Sequence, residues 1–263
     1  PTMLSSVTGE CPTFEDGNVT FSPAGIPPRQ VRLFMNEGAS GGPLVFYWHG
    51  TGSSPVAEPP YGMGEAMDAV LAAGGVVAAP HEDPGAGVFP WYLTTGSGPE
   101  DDLILADEIL SCAIEQLDVD TRRIHSIGMS AGGLQTAQMS YRRSGYIASV
   151  VTYSGGKIGD PPIQEEANKF PAMIFHGGEN DVVVIGFKEI SEGYQAELNE
   201  RGIEEMQRLS VERFAREGLK PPRTGTALEE LPATLRIGFD DDGQAGGFTV
   251  GDIVETRDSG IRG

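Results

Sequence analysis

The sequence predicts an α/β fold, a mostly parallel central sheet with helices on both faces, on three observations. Between about residues 17 and 177, short apolar runs rich in β-branched residues alternate with stretches of helical periodicity, the signature of strands joined by crossover helices. One run, PLVFYWH at 43–49, is continuously apolar, which suits a central strand covered on both faces. Another stretch, RRIHSIGMSAGG at 122–133, passes from an apolar strand straight into a turn of tiny residues centred on Ser130.

Taken in order, QVRLFMN (30–36) is an early strand, and the turn EGASGG separates it from the central strand. The spacing of GMGEAMDAVLAAGG (62–75) predicts one helix ending at glycine, with GVVAAP (75–80) as the next strand. PEDDLILADEILSCAIEQL (99–117) has apolar residues at helical intervals, with Pro99 and three acids at its start, where the helix dipole favours them. RRIHSIGM is a strand, AGGLQTAQMSYRRSG a helix, and YIASVVTYSGG and FPAMIFHGG two further strands, so that strand–helix–strand repeats four times. Past residue 200 the pattern changes to an amphipathic helix (202–219), a linker-like stretch, one strand (233–239) and an acidic, glycine-rich tail. The expectation is one domain, with a core over 1–200 and a divergent C-terminal part over 201–263.

The formal net charge of −20 repels phosphate backbones and argues against nucleic acid as a partner, favouring neutral or polymeric substrates. No apolar run approaches the roughly 20 residues that span a bilayer, so no membrane insertion is expected. Cys11 and Cys112 lack metal-ligand spacing; they form either one bridge or two buried thiols.

Gly128-Met129-Ser130-Ala131-Gly132 matches G-x-S-x-G, the turn that lifts a serine above a sheet edge, and here a strand precedes it and a helix follows. Ser130 is therefore the candidate nucleophile, and the Ala131 N–H at the helix start is the first donor for an oxyanion. The second donor is expected from YWHGTGSSP (47–55), where the Thr51 amide, with Gly50 beside it, follows the central strand. His49 is read as a brace for that loop. The acid of a triad should follow a later strand, and AMIFHGGENDVVV places Asp181 there, with Glu179 as the fallback.

With these residues in view the chain resembles the secreted α/β-hydrolase esterases that include polyhydroxybutyrate depolymerases and feruloyl and acetylxylan esterases. The matching pieces are VFYWHGTG, GVVAAPHEDPG, the long block ending in GMSAGG, VVTYSGG and IFHGGENDVVV, together covering roughly residues 30–200. The resemblance implies an exported serine esterase that cleaves polyester or plant-wall-type esters through an acyl-enzyme, with no cofactor or metal. It also implies a catalytic histidine after the acid, but all four histidines, His49, His81, His125 and His176, precede Asp181. His176 and His49 are the remaining candidates for the base. Trp91 and Tyr92 are placed either to stack on an acyl group or to anchor a lid. The rival reading is a binding protein of the same fold with impaired catalysis.

Overall fold

Five consecutive buried residues, Leu44–Trp48, form β3, and the sheet is built outward from them. The computed structural model describes residues 6–93, 99–183 and 185–201. Its seven strands lie in the order β1 (Gly17–Phe21), β2 (Arg29–Met35), β4 (Val76–Pro80), β3, β5 (Ile124–Met129), β6 (Ser149–Tyr153) and β7 (Ala172–Phe175). The β1–β2 and β2–β4 pairs are antiparallel and the other four are parallel. The mostly parallel sheet expected from the sequence is thus present.

Side chains alternate across the sheet. Leu44, Phe46, Trp48 and Ile124 pack on one face with α3 (Asp101–Leu117) and α4 (Ala131–Arg142), whereas Val45, Tyr47, Ile127 and Val151 pack on the other with α1 (Glu58–Met63) and α2 (Glu65–Ala72). A fifth helix, α5 (Phe187–Glu200), contributes Tyr194 and Leu198 to the first face, and the Tyr194 hydroxyl donates to Ser140 Oγ at 2.6 Å.

Four details differ from the sequence reading. The helix predicted over 62–75 is two helices, because Gly64 at φ 49° breaks the ladder between them. Among the described residues the β6–β7 connection holds no helix, so the helical crossovers number three instead of four. Strand β1 and helix α5 were not predicted. The helix expected at 202–219, the strand at 233–239 and the acidic tail lie outside the described residues.

Two tertiary ties frame the sheet. Residues 8–14 are strapped along α3 by Glu108, Cys112 and Gln116, which recur every four residues and so share one helical stripe. Glu108 accepts from the Thr8 and Gly9 amides at 2.8 and 2.7 Å, Cys112 forms a disulfide with Cys11, and Gln116 accepts from Phe14 N at 3.2 Å and donates to Pro12 O at 2.8 Å. At the start of β2 the buried Arg29 pairs with Asp83 and Asp102. Asp102 also accepts from the Tyr92 amide at 2.6 Å, and Asp83 from Gly85 at 2.7 Å, so one guanidinium organises the 81–92 loop. Burial pushes the Asp102 carboxyl up to about 6, against the pull of Arg29.

Candidate active site

β3 and β5 are parallel neighbours, with Trp48 opposite Gly128. The chain leaves β3 toward β4 on one side and leaves β5 toward β6 on the other. Connections that diverge in this way open a crevice at the carboxyl ends of the two strands, and Ser130 stands there, one residue beyond β5 and one before α4.

Ser130 has φ 55° and ψ −121°, a conformation that side chains other than glycine rarely adopt and that costs on the order of 1–3 kcal/mol. Its backbone is fixed from both directions: its N–H donates to Tyr153 O at 2.8 Å, and its carbonyl accepts the first α4 bond from Leu134 N at 3.0 Å. A serine at a helix start ordinarily turns its hydroxyl back onto the first-turn amides, but here the side chain makes no capping bond. The partly exposed hydroxyl has no hydrogen-bond partner among the described residues. The flanking glycines make the bend possible. A Cβ on Gly128 would lie 2.2 Å from Gly132 O, and one on Gly132 would lie 1.7 Å from Trp48 O.

The loop after β3 faces this bend. A Cβ built on Gly50 would be 3.4 Å from Ser130 Cβ and 3.2 Å from Met129 O. Ser53 N–H closes a tight turn onto Gly50 O at 3.1 Å, with Gly52 at φ 80° supplying the left-handed third position. The Gly50 amide is taken by the Glu58 carboxylate, at 3.0 and 3.1 Å to its two oxygens. Neither the Thr51 N–H nor the Ala131 N–H meets an acceptor among the described residues. Glu58 is 3% exposed, and burial raises its carboxyl above the usual range, offset in part by hydrogen bonds from Ser53 and Gly50. Sequence reasoning missed this residue, whose one signal is a lone acid before a proline pair close to the loop.

Asp181 lies on the same edge of the sheet. Met129, Tyr153 and Phe175 are successive register partners, so Ser130 and the loop after β7 leave the sheet two strand spacings apart, roughly 10 Å. After Phe175 a single 3-10 turn, Gly178–Asn180, leads to Asp181, whose Oδ2 accepts from the Gly177 amide at 2.8 Å. Its carbonyl accepts from Phe187 N at 2.9 Å, tying the loop to α5. Glu179, the fallback acid, is exposed and ion-paired with Lys188.

Each of the four imidazoles has a ring nitrogen bonded elsewhere, while His49 Nε2 is buried without a partner among the described residues. His49 is fully buried, with Nδ1 donating to Gly50 O at 2.9 Å and its ring edge-on to Trp91, and burial lowers its pKa. His176 Nδ1 accepts from Gly178 N at 3.1 Å, and its Nε2 lies 4.0 Å from Glu192. His125 bonds Ser149, and His81 bonds Asn18. His49 and His176, the candidates for the base, both brace loops of the site, and neither is hydrogen-bonded to Ser130. The expectation for Trp91 is corrected. It is 1% exposed, donates Nε1–H to His49 O at 2.9 Å and packs edge-on to Trp48, so its indole is core and unavailable to a substrate. Tyr92 is half-buried, and its amide is held by Asp102. Among the described residues no group of three His, Cys, Asp or Glu side chains is placed to hold a metal ion.

No family model matches the chain, and no curated protein matches it in sequence. Solved structures do. A thermostable esterase superposes with a TM-score of 0.51 at 20% identity, over 70% of this chain and 52% of its own. A ferulic acid esterase, 16% identical, aligns over 69% of each chain at a TM-score of 0.43, and native pOPH, 20% identical, over 56% of each at 0.44. The chain spans little more than half the length of the thermostable esterase and of pOPH. Similarity at this identity is one of fold, and together with the strand order it identifies the α/β-hydrolase fold.

Proposed function

We propose that the chain is a serine carboxylic ester hydrolase working through an acyl-enzyme on Ser130, with the Ala131 and Thr51 amides receiving the oxyanion and Asp181 as the triad carboxylate. The observation that carries this reading is the backbone of Ser130 itself, held at φ 55° with its hydroxyl uncommitted, on the crevice edge beside the Gly50 loop. The esterase that shares the fold supports it. Polyester or plant-wall-type esters are the proposed substrates, in keeping with the sequence resemblance and with the acidic chain's preference for neutral ligands. The Cys11–Cys112 disulfide supports an extracytoplasmic setting, where such bonds persist. Among the described residues no helix is long and apolar enough to cross a membrane.

In the first step the Ser130 oxygen adds to the ester carbonyl, whose π pair moves onto oxygen between the two amides. Collapse breaks the bond to the leaving oxygen, which departs with the serine proton. Both steps are normally served by a base, which takes the serine proton in acylation and a water proton in deacylation, and none of the four imidazoles is hydrogen-bonded to Ser130. Loss of a triad base still leaves roughly 10³–10⁴-fold catalysis over water from oxyanion binding and positioning. The expected result with 4-nitrophenyl acetate is a slow, enzyme-dependent release of nitrophenol, an acetyl group on Ser130 by mass, and slow turnover. Ser130→Ala should lose all three. The same missing imidazole favours a second reading, a catalytically impaired binding protein, which is the outcome if wild type neither acylates nor turns over.

A further inference from the structure

Both oxygens of Glu58 face one peptide N–H, that of Gly50, at 3.0 and 3.1 Å. The carboxylate is 3% exposed, and among the described residues no cation pairs with it. A buried carboxylate without a counter-ion is costly unless hydrogen bonds satisfy it, and the main bond available is to the loop that lies against the nucleophile. A Cβ on Gly50 would be 3.4 Å from Ser130 Cβ and 3.7 Å from Glu58 Oε2, so nucleophile, loop and carboxylate converge on one glycine. Charge-assisted bonds of this kind are about twice as strong as neutral ones and orient the donor sharply.

We propose that Glu58 is a positioning residue for the ester-hydrolase reaction: by capturing the Gly50 amide it fixes the peptide plane after β3 and leaves the Thr51 amide as the loop's donor to the oxyanion. The proposal rests on the reading of Ser130 as nucleophile. It follows that Gly50 itself contributes no oxyanion bond, since its N–H is already engaged and its carbonyl accepts from Ser53 and His49. What Glu58 must supply is an acceptor at that position; the negative charge is dispensable for the role.

The test uses the full chain with 4-nitrophenyl acetate and compares Glu58→Leu, which removes the acceptor, with Glu58→Gln, which keeps one oxygen for Gly50. Loss of one oxyanion donor costs about 10²–10³-fold in rate, and a misplaced donor costs part of that. The expected result is a maximal acylation rate at least ten-fold lower for Glu58→Leu with KM within about two-fold, and a rate within about three-fold of wild type for Glu58→Gln. The Gly50 amide proton resonance should move upfield in the leucine variant and largely hold in the glutamine one. Equal rates in wild type and Glu58→Leu, or a Gly50 resonance indifferent to both changes, overturn the proposal. If the leucine variant does not fold, a free-amide Gly50 shift in Glu58→Gln overturns it equally. Should wild type and Ser130→Ala hydrolyse alike, the ester-hydrolase reading fails and takes this role with it; a Gly50 resonance that still responds to Glu58→Leu tells that failure from the others.

Discussion

The imidazole of His125 is held within the sheet, its Nδ1 2.7 Å from Ser149 Oγ, and burial together with the nearby Arg123 charge lowers its pKa to about 4. In the unfolded chain it titrates near 6.5, so between these values the unfolded state binds more protons than the native one. Stability therefore rises with pH across this window, is complete above about 7, and is lost as pH falls toward 4. The effect is at most about 3 kcal/mol, from the difference between about 6.5 in the unfolded chain and about 4 in the folded one. Denaturant unfolding at pH 7.5 and 4.5 should show His125→Gln losing about 2 kcal/mol less stability on acidification than wild type does. An equal loss in both proteins would show that this imidazole is protonated without cost in the folded state. The other residue-scale lesson is Glu58: a carboxylate becomes a structural clamp only through the tertiary placement that buries it, which composition and spacing do not reveal.

At the scale of elements, α4 reaches the sheet through glycine. Alanine in a helix is normally favoured over glycine by about 1 kcal/mol. At position 132 the added methyl would lie 1.7 Å from Trp48 O, on backbone that cannot yield as a side chain does. The overlap outweighs the propensity, and Gly132→Ala should destabilise by about 1–3 kcal/mol, read as a lower unfolding midpoint. The same contact explains why the elbow was legible: only small residues permit the approach, and they stand together as GMSAGG. The parallel strands were equally legible, since a strand buried on both faces, such as Leu44–Trp48, reads as unbroken apolar sequence. Strand β1, Gly17–Phe21, was not. It is an edge strand whose burial alternates, so that only Val19 and Phe21 are buried, too short a pattern to stand out. Trp91 misled for a related reason, because an aromatic residue in a loop looks the same in sequence whether the loop turns it outward or lays it over Trp48. The absence of a histidine beyond Asp181, by contrast, was plain in the sequence, and the structure adds that each earlier imidazole has one nitrogen bonded to a group other than Ser130.

For the whole molecule, the Cys11–Cys112 bond closes a loop with a sequence separation of 101 residues. No local spacing links residues so far apart, which is why the sequence left the pairing open. In the chain-entropy description a closure of this length removes about 4 to 5 kcal/mol of unfolded-state freedom. The Cys11→Ser/Cys112→Ser double variant should melt roughly 10 °C lower than wild type. An unchanged midpoint would mean that the Glu108 and Gln116 contacts hold the segment without covalent help. The loop contains β1 to β4 and most of α3, whereas Ser130 and Asp181 lie outside it.

That strap also decides how the fold carries mechanical load. Tension applied at the amino terminus passes through Cys11 directly into the middle of α3, bypassing the hundred residues between the two cysteines. The edge strand β1 and its neighbour β2, which would otherwise peel away first, are left slack while the disulfide is intact. Pulling the chain from its two ends should therefore unravel the β5–β7 half before the β1–β4 half, with the reducing agent reversing that order.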